Sequence, residues 1–174
     1  DIKLHERLLL FRNHGITKDS KGFNVMTHLG YNYRMTDLQA ALGASQMDRL
    51  KEFLKKRHTA VRWYKEEFGK FDKVILPREL PGVYSGWHLY VIRVKQPKDR
   101  LPLYRHLQQS GIGVNFHFPS VYRHPYYQKR GFGKISLANA DLYHETAITL
   151  PLFPLLTRKD VRVICSAVRN YFAE

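Results

Sequence analysis

From Thr36 to Gly69 the chain carries Leu38, Leu42, Met47, Leu50, Leu54, Val61, Tyr64 and Phe68 at roughly helical spacing, and this run constrains the fold more than any other feature. A helix of about 30 residues is about 45 Å long, more than a typical domain element spans. Such a helix is expected to bridge two domains or two subunits. Its start is marked by Thr36, with Gln39 three positions on as a possible capping box and Asp37 in the first turn near the positive end of the dipole.

Upstream, Asp1 can cap a helix through about Asn13, with Leu4, Leu8 and Phe11 along one face and the His14-Gly15 pair as its stop. A helix that begins at the first residue suggests a fragment whose N-terminal part lies elsewhere. Between the two helices, Ile16 to Arg34 reads as a polar loop punctuated by Gly22 and Gly30. Loops of that length inside a domain are usually functional.

After Gly69 the pattern alternates between strands and helices. The spacing predicts strands over Trp87–Val94, Ile112–Phe118 and Ala147–Leu152, and helices over Arg100–Ser110, Ser136–Thr146 and Thr157–Phe172. The last helix is capped by Thr157 with Asp160 at its third position, and an aromatic loop runs from Pro119 to Phe132. A small α/β domain of about 100 residues is expected here, without internal repeats.

Composition narrows the chemistry. The 29 Lys plus Arg outnumber the 15 Asp plus Glu and leave a formal charge of +14, a field that attracts nucleotides, phosphorylated cofactors or nucleic acid without choosing among them. Much of it can equally be solvated surface. The single cysteine, Cys165, excludes disulfides and cysteine-zinc frameworks within the chain. No apolar run approaches the length of a membrane span and no signal-peptide pattern opens the sequence, so a cytoplasmic protein is expected. The nine histidines form no helical zinc pair with Glu, and neither a nucleophile elbow nor a glycine-rich phosphate loop is present.

Three stretches combine groups in ways that stand out. Gly30-Tyr31-Asn32-Tyr33-Arg34 offers an amide, a guanidinium and two phenols at a helix entrance, a surface suited to an anion; a turn with a solvated Arg34 is the plainer alternative. Asn115-Phe116-His117-Phe118-Pro119, followed by Tyr122, His124, Tyr126 and Tyr127, places stacking faces and hydrogen-bonding tips at the end of a predicted strand. His117 can also be a structural histidine. The third, Leu150-Pro151-Leu152-Phe153-Pro154, reads as an apolar packing turn.

Together these stretches resemble the DegT/DnrJ/EryC1/StrS-type sugar aminotransferases, pyridoxal-phosphate enzymes of the aspartate-aminotransferase fold type I, nearest to those acting at C4 of UDP-4-keto-sugars. The resemblance covers nearly the whole chain and includes Leu10-Phe11-Arg12-Asn13-His14-Gly15-Ile16, Asp37-Leu38-Gln39-Ala40-Ala41-Leu42-Gly43, Trp87-His88-Leu89-Tyr90-Val91-Ile92-Arg93-Val94 and Gly111-Ile112-Gly113 besides the three stretches. It implies an α/β C-terminal half of such an enzyme. Residues 1–35 would end a large cofactor-binding domain, 36–68 would form a long linking helix, and 69–174 a small C-terminal α/β domain with a short sheet.

The resemblance further implies that Asn32 reaches the phosphate of pyridoxal phosphate held in the neighbouring subunit, so that a homodimer shares its active sites. Tyr31, Arg34, His117 and Tyr122 would lie near the cofactor or the nucleotide-sugar. The position of Tyr122 is often histidine in relatives, and that of Phe118 often tyrosine. No lysine here matches the one that forms the Schiff base, so no catalytic residue is assigned and the chain alone is expected to be inactive. The intact enzyme would move an amino group, commonly from glutamate, to a keto-sugar nucleotide for cell-surface or antibiotic polysaccharide. Two alternatives remain: a sugar dehydratase of the same fold, and a basic nucleic-acid-binding module suggested by the charge and by the interleaved Tyr and Arg of the aromatic loop. No recognised motif accompanies the second, so neither nucleic acid nor membrane is the expected partner.

Overall fold

The computed structural model describes residues 1–173, and the chain divides into two compact units, Asp1–Leu50 and Lys51–Glu174. The first unit contains α1 (Ile2–Arg12), β1 (Ile16–Lys18), β2 (Asn24–Met26) and α2 (Asp37–Asp48). Asp1 caps α1 by accepting from the Leu4 N–H at 3.2 Å. Thr36 and Gln39 form the reciprocal box at the start of α2, over 3.3 and 3.0 Å.

The segment expected as an open loop holds a hairpin, with Ile16 opposite Met26 and Lys18 opposite Asn24. Its turn is built by the Asp19 carboxylate, which accepts from the Lys21 and Phe23 N–H groups at 2.9 Å each. Neither α1 nor α2 buries a residue.

The run expected as one helix is two, α2 and α3 (Leu50–Phe68), with Arg49 between them. The Arg49 N–H bonds the Gln46 carbonyl at 3.1 Å, a bond one residue shorter than the α pattern, which tightens the last turn and ends it. Apolar spacing continues past this point through Leu50 and Leu54, so periodicity alone gives no sign of the interruption.

The second unit carries α3 and a three-stranded antiparallel sheet in the order β3 (Val74–Ile75), β4 (Tyr90–Val94), β5 (Ala147–Leu150). Its remaining helices are α4 (Arg100–Gln109), α5 (Pro125–Gln128), α6 (Ala138–Thr146) and α7 (Arg158–Tyr171). Register pairs Val74 with Val94, Tyr90 with Leu150 and Ile92 with Ile148. Tyr90, Ile92 and Val94 point into a core shared with Ala60, Val61, Tyr64 and Phe68 of α3, Leu103 and Leu107 of α4, and Val161, Ile164, Cys165 and Val168 of α7. The spacing of three and four on each helix is what places these residues on one stripe. α7 begins with the expected box, Thr157 Oγ1 accepting from the Asp160 N–H at 3.2 Å and Asp160 from the Thr157 N–H at 2.9 Å.

All three expected strands are shortened, β5 ending at Leu150 rather than Leu152. Over Ile112–Phe118 the backbone makes a single bridge, Asn115 with Thr149. The next N–H, of Phe116, turns instead to the Asn115 side-chain oxygen at 2.7 Å, which takes it out of any ladder. β4 begins at Tyr90 rather than Trp87, because Trp87 has φ of +43°, incompatible with a strand. One Arg57 nitrogen holds that bend, donating to the carbonyls of Trp87 at 2.9 Å, His88 at 3.1 Å and Leu152 at 3.3 Å.

Candidate functional site

Two clusters, one in each unit, hold the residues singled out by sequence. In the first unit the segment Tyr31–Tyr33 lies along the C-terminal end of α1 and satisfies its last carbonyls. The Tyr31 N–H donates to Phe11 O at 2.7 Å, and the Tyr33 N–H to Arg12 O at 3.0 Å. In return the His14 N–H donates to Tyr31 O at 2.9 Å, and Asn13 pairs with Asn32 in an isolated bridge. Gly15 and Gly30 make this approach possible. A Cβ on Gly15, whose φ is +66°, would lie 1.8 Å from His28 O, and one on Gly30 would lie 2.1 Å from Gly15 N.

The backbone of this segment is therefore fixed while its side chains face outward. Tyr31, Asn32, Tyr33 and Arg34 are all exposed. The two phenol rings stack with centroids 5.0 Å apart and planes 10° from parallel, and the Arg34 guanidinium donates to the Asn13 side-chain oxygen. The Asn32 amide makes no hydrogen bond among the described residues and is left as both a donor and an acceptor. Arg34 lines a hollow with Arg12, Asn13 and His28, whereas Tyr31 lines a separate, more apolar one with Leu8, Phe11 and Leu29. Asn13 was missed as a member of this cluster; its only sequence sign is its place in the Phe11-to-Ile16 stretch that carries the resemblance.

In the second unit His117 is half-buried, with Nδ1 2.9 Å from Thr149 Oγ1 and its carbonyl accepting from the Tyr143 hydroxyl at 2.9 Å. Tyr122 donates its hydroxyl to Asp141 at 2.7 Å. The same carboxylate accepts from Arg123 Nε at 2.8 Å, Ser136 Oγ at 3.0 Å and the Leu137 N–H at 3.2 Å. These bonds, the Tyr122 hydroxyl first, hold the Asp141 carboxyl below the usual carboxylate range. Both ends of the loop between β4 and β5 that carries Tyr126 and Tyr127 are thus tied to one acidic side chain.

Asp141 was not singled out by sequence, since it lies nineteen residues from Tyr122 and reads as an ordinary helical carboxylate. Next to it, His144 is pushed below the ordinary histidine value by burial and by the Arg100 and Arg123 charges, and its Nδ1 is buried without a partner. Cys165 lies in the core with its thiol pushed up to about 12 by burial, which makes it inert rather than nucleophilic. Among the described residues no three or more of His, Cys, Asp or Glu are grouped to hold a metal, and no helix is long and apolar enough to cross a membrane.

Residues 1–169 match the model of the DegT/DnrJ/EryC1/StrS aminotransferase family. The chain is similar to the UDP-4-amino-4,6-dideoxy-N-acetyl-beta-L-altrosamine transaminase of Campylobacter jejuni, 31% identical over 164 residues that cover 93% of this chain and 43% of that protein. Its fold matches Helicobacter pylori PseC, an aminotransferase involved in the biosynthesis of pseudoaminic acid, with a TM-score of 0.92 and 28% identity over 99% of this chain and 47% of that one. It also matches the PMP-form of a sugar aminotransferase, Spr1654, from Streptococcus pneumoniae, with a TM-score of 0.88 and 26% identity over 98% of this chain and 45% of that one. The chain spans about half the length of the curated relatives it matches.

Proposed function

This chain belongs to the DegT/DnrJ/EryC1/StrS aminotransferase family, and on that premise we propose that it is part of a pyridoxal-phosphate-dependent enzyme that moves an amino group from glutamate to a keto-sugar carried on a nucleotide. The product would be an amino-sugar for cell-surface or antibiotic polysaccharide, made in the cytoplasm. The observation that carries this reading is the Asn32 amide: its backbone is pinned to the end of α1, its side chain is exposed, and no group among the described residues uses it.

A phosphate fits that position. The Asn32 amide can donate to a phosphate oxygen, Arg34 lies two residues away with its charge, and Thr36, the N-cap of α2, lies two residues after Arg34. On this reading Asn32 grips the phosphate of a cofactor held by a second subunit, so the enzyme is a homodimer with shared active sites. Bound there, pyridoxal phosphate supplies the electron sink and carries the amino group between donor and acceptor. The lysine that anchors it is supplied outside these 174 residues, and the chain alone does not turn over.

The other residues would act on the substrate. Arg34 supplies charge and Tyr31 a stacking face for the nucleotide-sugar. His117, steadied by Thr149 and by the Tyr143 hydroxyl, presents its remaining ring nitrogen as a donor or acceptor. Tyr122, with its hydroxyl committed to Asp141, contributes its ring and the fixed course of its loop.

The test is a titration of the full-length gene product with pyridoxal phosphate, read by visible absorbance. Asn32→Ala removes one hydrogen bond to a charged group, so cofactor affinity should fall about tenfold or more. Unchanged affinity in a folded Asn32→Ala dimer would refute the assignment.

A further inference from the structure

The sheet has a second face, away from the core, and on it β4 places an arginine. Arg93 alternates with the buried Ile92 and Val94 and is itself half-buried. Cations in that position are ordinarily paired, because desolvating a charge without a partner is costly. Most partly covered arginines of this unit follow the rule. Arg123 pairs with Asp141, Arg57 donates to three carbonyls, and Arg100 donates to Ala147 O while its guanidinium sits 3.8 Å from the centre of the Phe116 ring. Arg93 has no ion pair and no side-chain hydrogen bond among the described residues, and neither has Arg78.

These two arginines line one cleft of about 370 Å³, whose other walls include Ile75, Pro77, Val91 and Tyr143. Among the described residues no acidic one lines it. The Arg93 charge is felt at the Tyr143 hydroxyl, where it opposes the upward shift that burial imposes. A cleft of this kind combines two forked donors, an apolar floor and no acidic lining residue.

We propose that this cleft binds a phosphate group, with Arg78 and Arg93 gripping its oxygens and Ile75, Pro77 and Val91 packing against the organic body that carries it. The charge count selects phosphate over carboxylate. A phosphate monoester carries about −1.5 to −2 at neutral pH and occupies two guanidiniums, whereas a single carboxylate would leave one of them unpaired. The cleft is lined wholly by residues of the second unit, and the proposal does not depend on the aminotransferase reading.

Calorimetric titration of the full-length gene product with inorganic phosphate, and separately with acetate, decides the matter. Saturable binding of phosphate is expected, with acetate much weaker. Arg93→Gln and Arg78→Gln should each weaken phosphate about tenfold or more, the equivalent of one charge-assisted hydrogen bond. Arg93→Lys, which keeps the charge and loses the fork, should fall between. Arg105→Gln, an exposed cation on α4 outside the cleft, should change nothing. The proposal is overturned if phosphate does not saturate, if acetate binds as well, or if Arg105→Gln weakens binding as much as the cleft variants. Circular dichroism checks that each variant folds; should Arg93→Gln fail, Arg78→Gln and Arg93→Lys carry the same decision.

Discussion

The Tyr122 hydroxyl donates to Asp141 at 2.7 Å, and through that one carboxylate the two ends of the aromatic loop are joined. Asp141→Asn keeps the shape and removes the charge that Arg123 pairs with. The loop between them contains Arg123, Lys129, Arg130 and Lys134, so limited trypsin digestion reads its order directly. Cleavage in this segment should accelerate in the variant while the core remains intact. Equal cleavage rates would show that the carboxylate does not hold the loop.

Acid should loosen the same region. Asp141 is held below its ordinary value, so the unfolded chain takes up its proton first as pH falls. The stabilisation is complete above the ordinary carboxylate range and is lost as pH drops through the depressed native value. His144 adds to this with the same sign: burial lowers its value, so its contribution is complete above the ordinary histidine range and fades below it. Hydrogen exchange of the Leu137 amide, followed from neutral to acid pH, should show protection falling in the wild-type chain and falling less in Asp141→Asn, where only the His144 contribution remains.

Two core tyrosines should respond oppositely to loss of their hydroxyls. Tyr64 and Tyr90 stack with centroids 4.4 Å apart, yet Tyr64 donates to Pro151 O at 2.8 Å while the Tyr90 hydroxyl is buried with no partner. Tyr64→Phe leaves a carbonyl unsatisfied and should cost about 1 kcal/mol, and Tyr90→Phe removes an unpaired buried hydroxyl and should be neutral or stabilising. Urea unfolding of the two variants separates these outcomes; a loss in Tyr90→Phe equal to that in Tyr64→Phe would mean the hydroxyl has a partner.

Thr157→Ala should lower stability by about 1 kcal/mol in the same assay, because it removes the side chain that accepts from the Asp160 N–H at the start of α7. Thr157→Ser keeps the oxygen and should restore most of the loss.

What could be read from the sequence follows from how local each signal is. The starts of α2 and α7 were legible because Thr36 with Gln39, and Thr157 with Asp160, act within one turn. The extent of α7 was legible from its spacing. The interruption at Arg49 was not, since it changes backbone bonding without disturbing the apolar pattern. The strand expected at Ile112–Phe118 failed because the Asn115 side chain competes for the Phe116 N–H, a choice that composition does not announce. Among site residues, Asn32 and Arg34 could be named from a short motif, but the bond from Arg34 to Asn13 spans twenty-one residues and is a product of the fold. The convergence on Asp141 and the unpaired Arg93 are of the same tertiary kind.

The proposed role of Asn32 is tested most directly by a structure of the full-length protein with pyridoxal phosphate bound. The amide nitrogen of Asn32 should lie about 3 Å from an oxygen of a cofactor phosphate whose ring is held by the other subunit. A phosphate contacted wholly within its own subunit, with the Asn32 amide facing solvent, would contradict it.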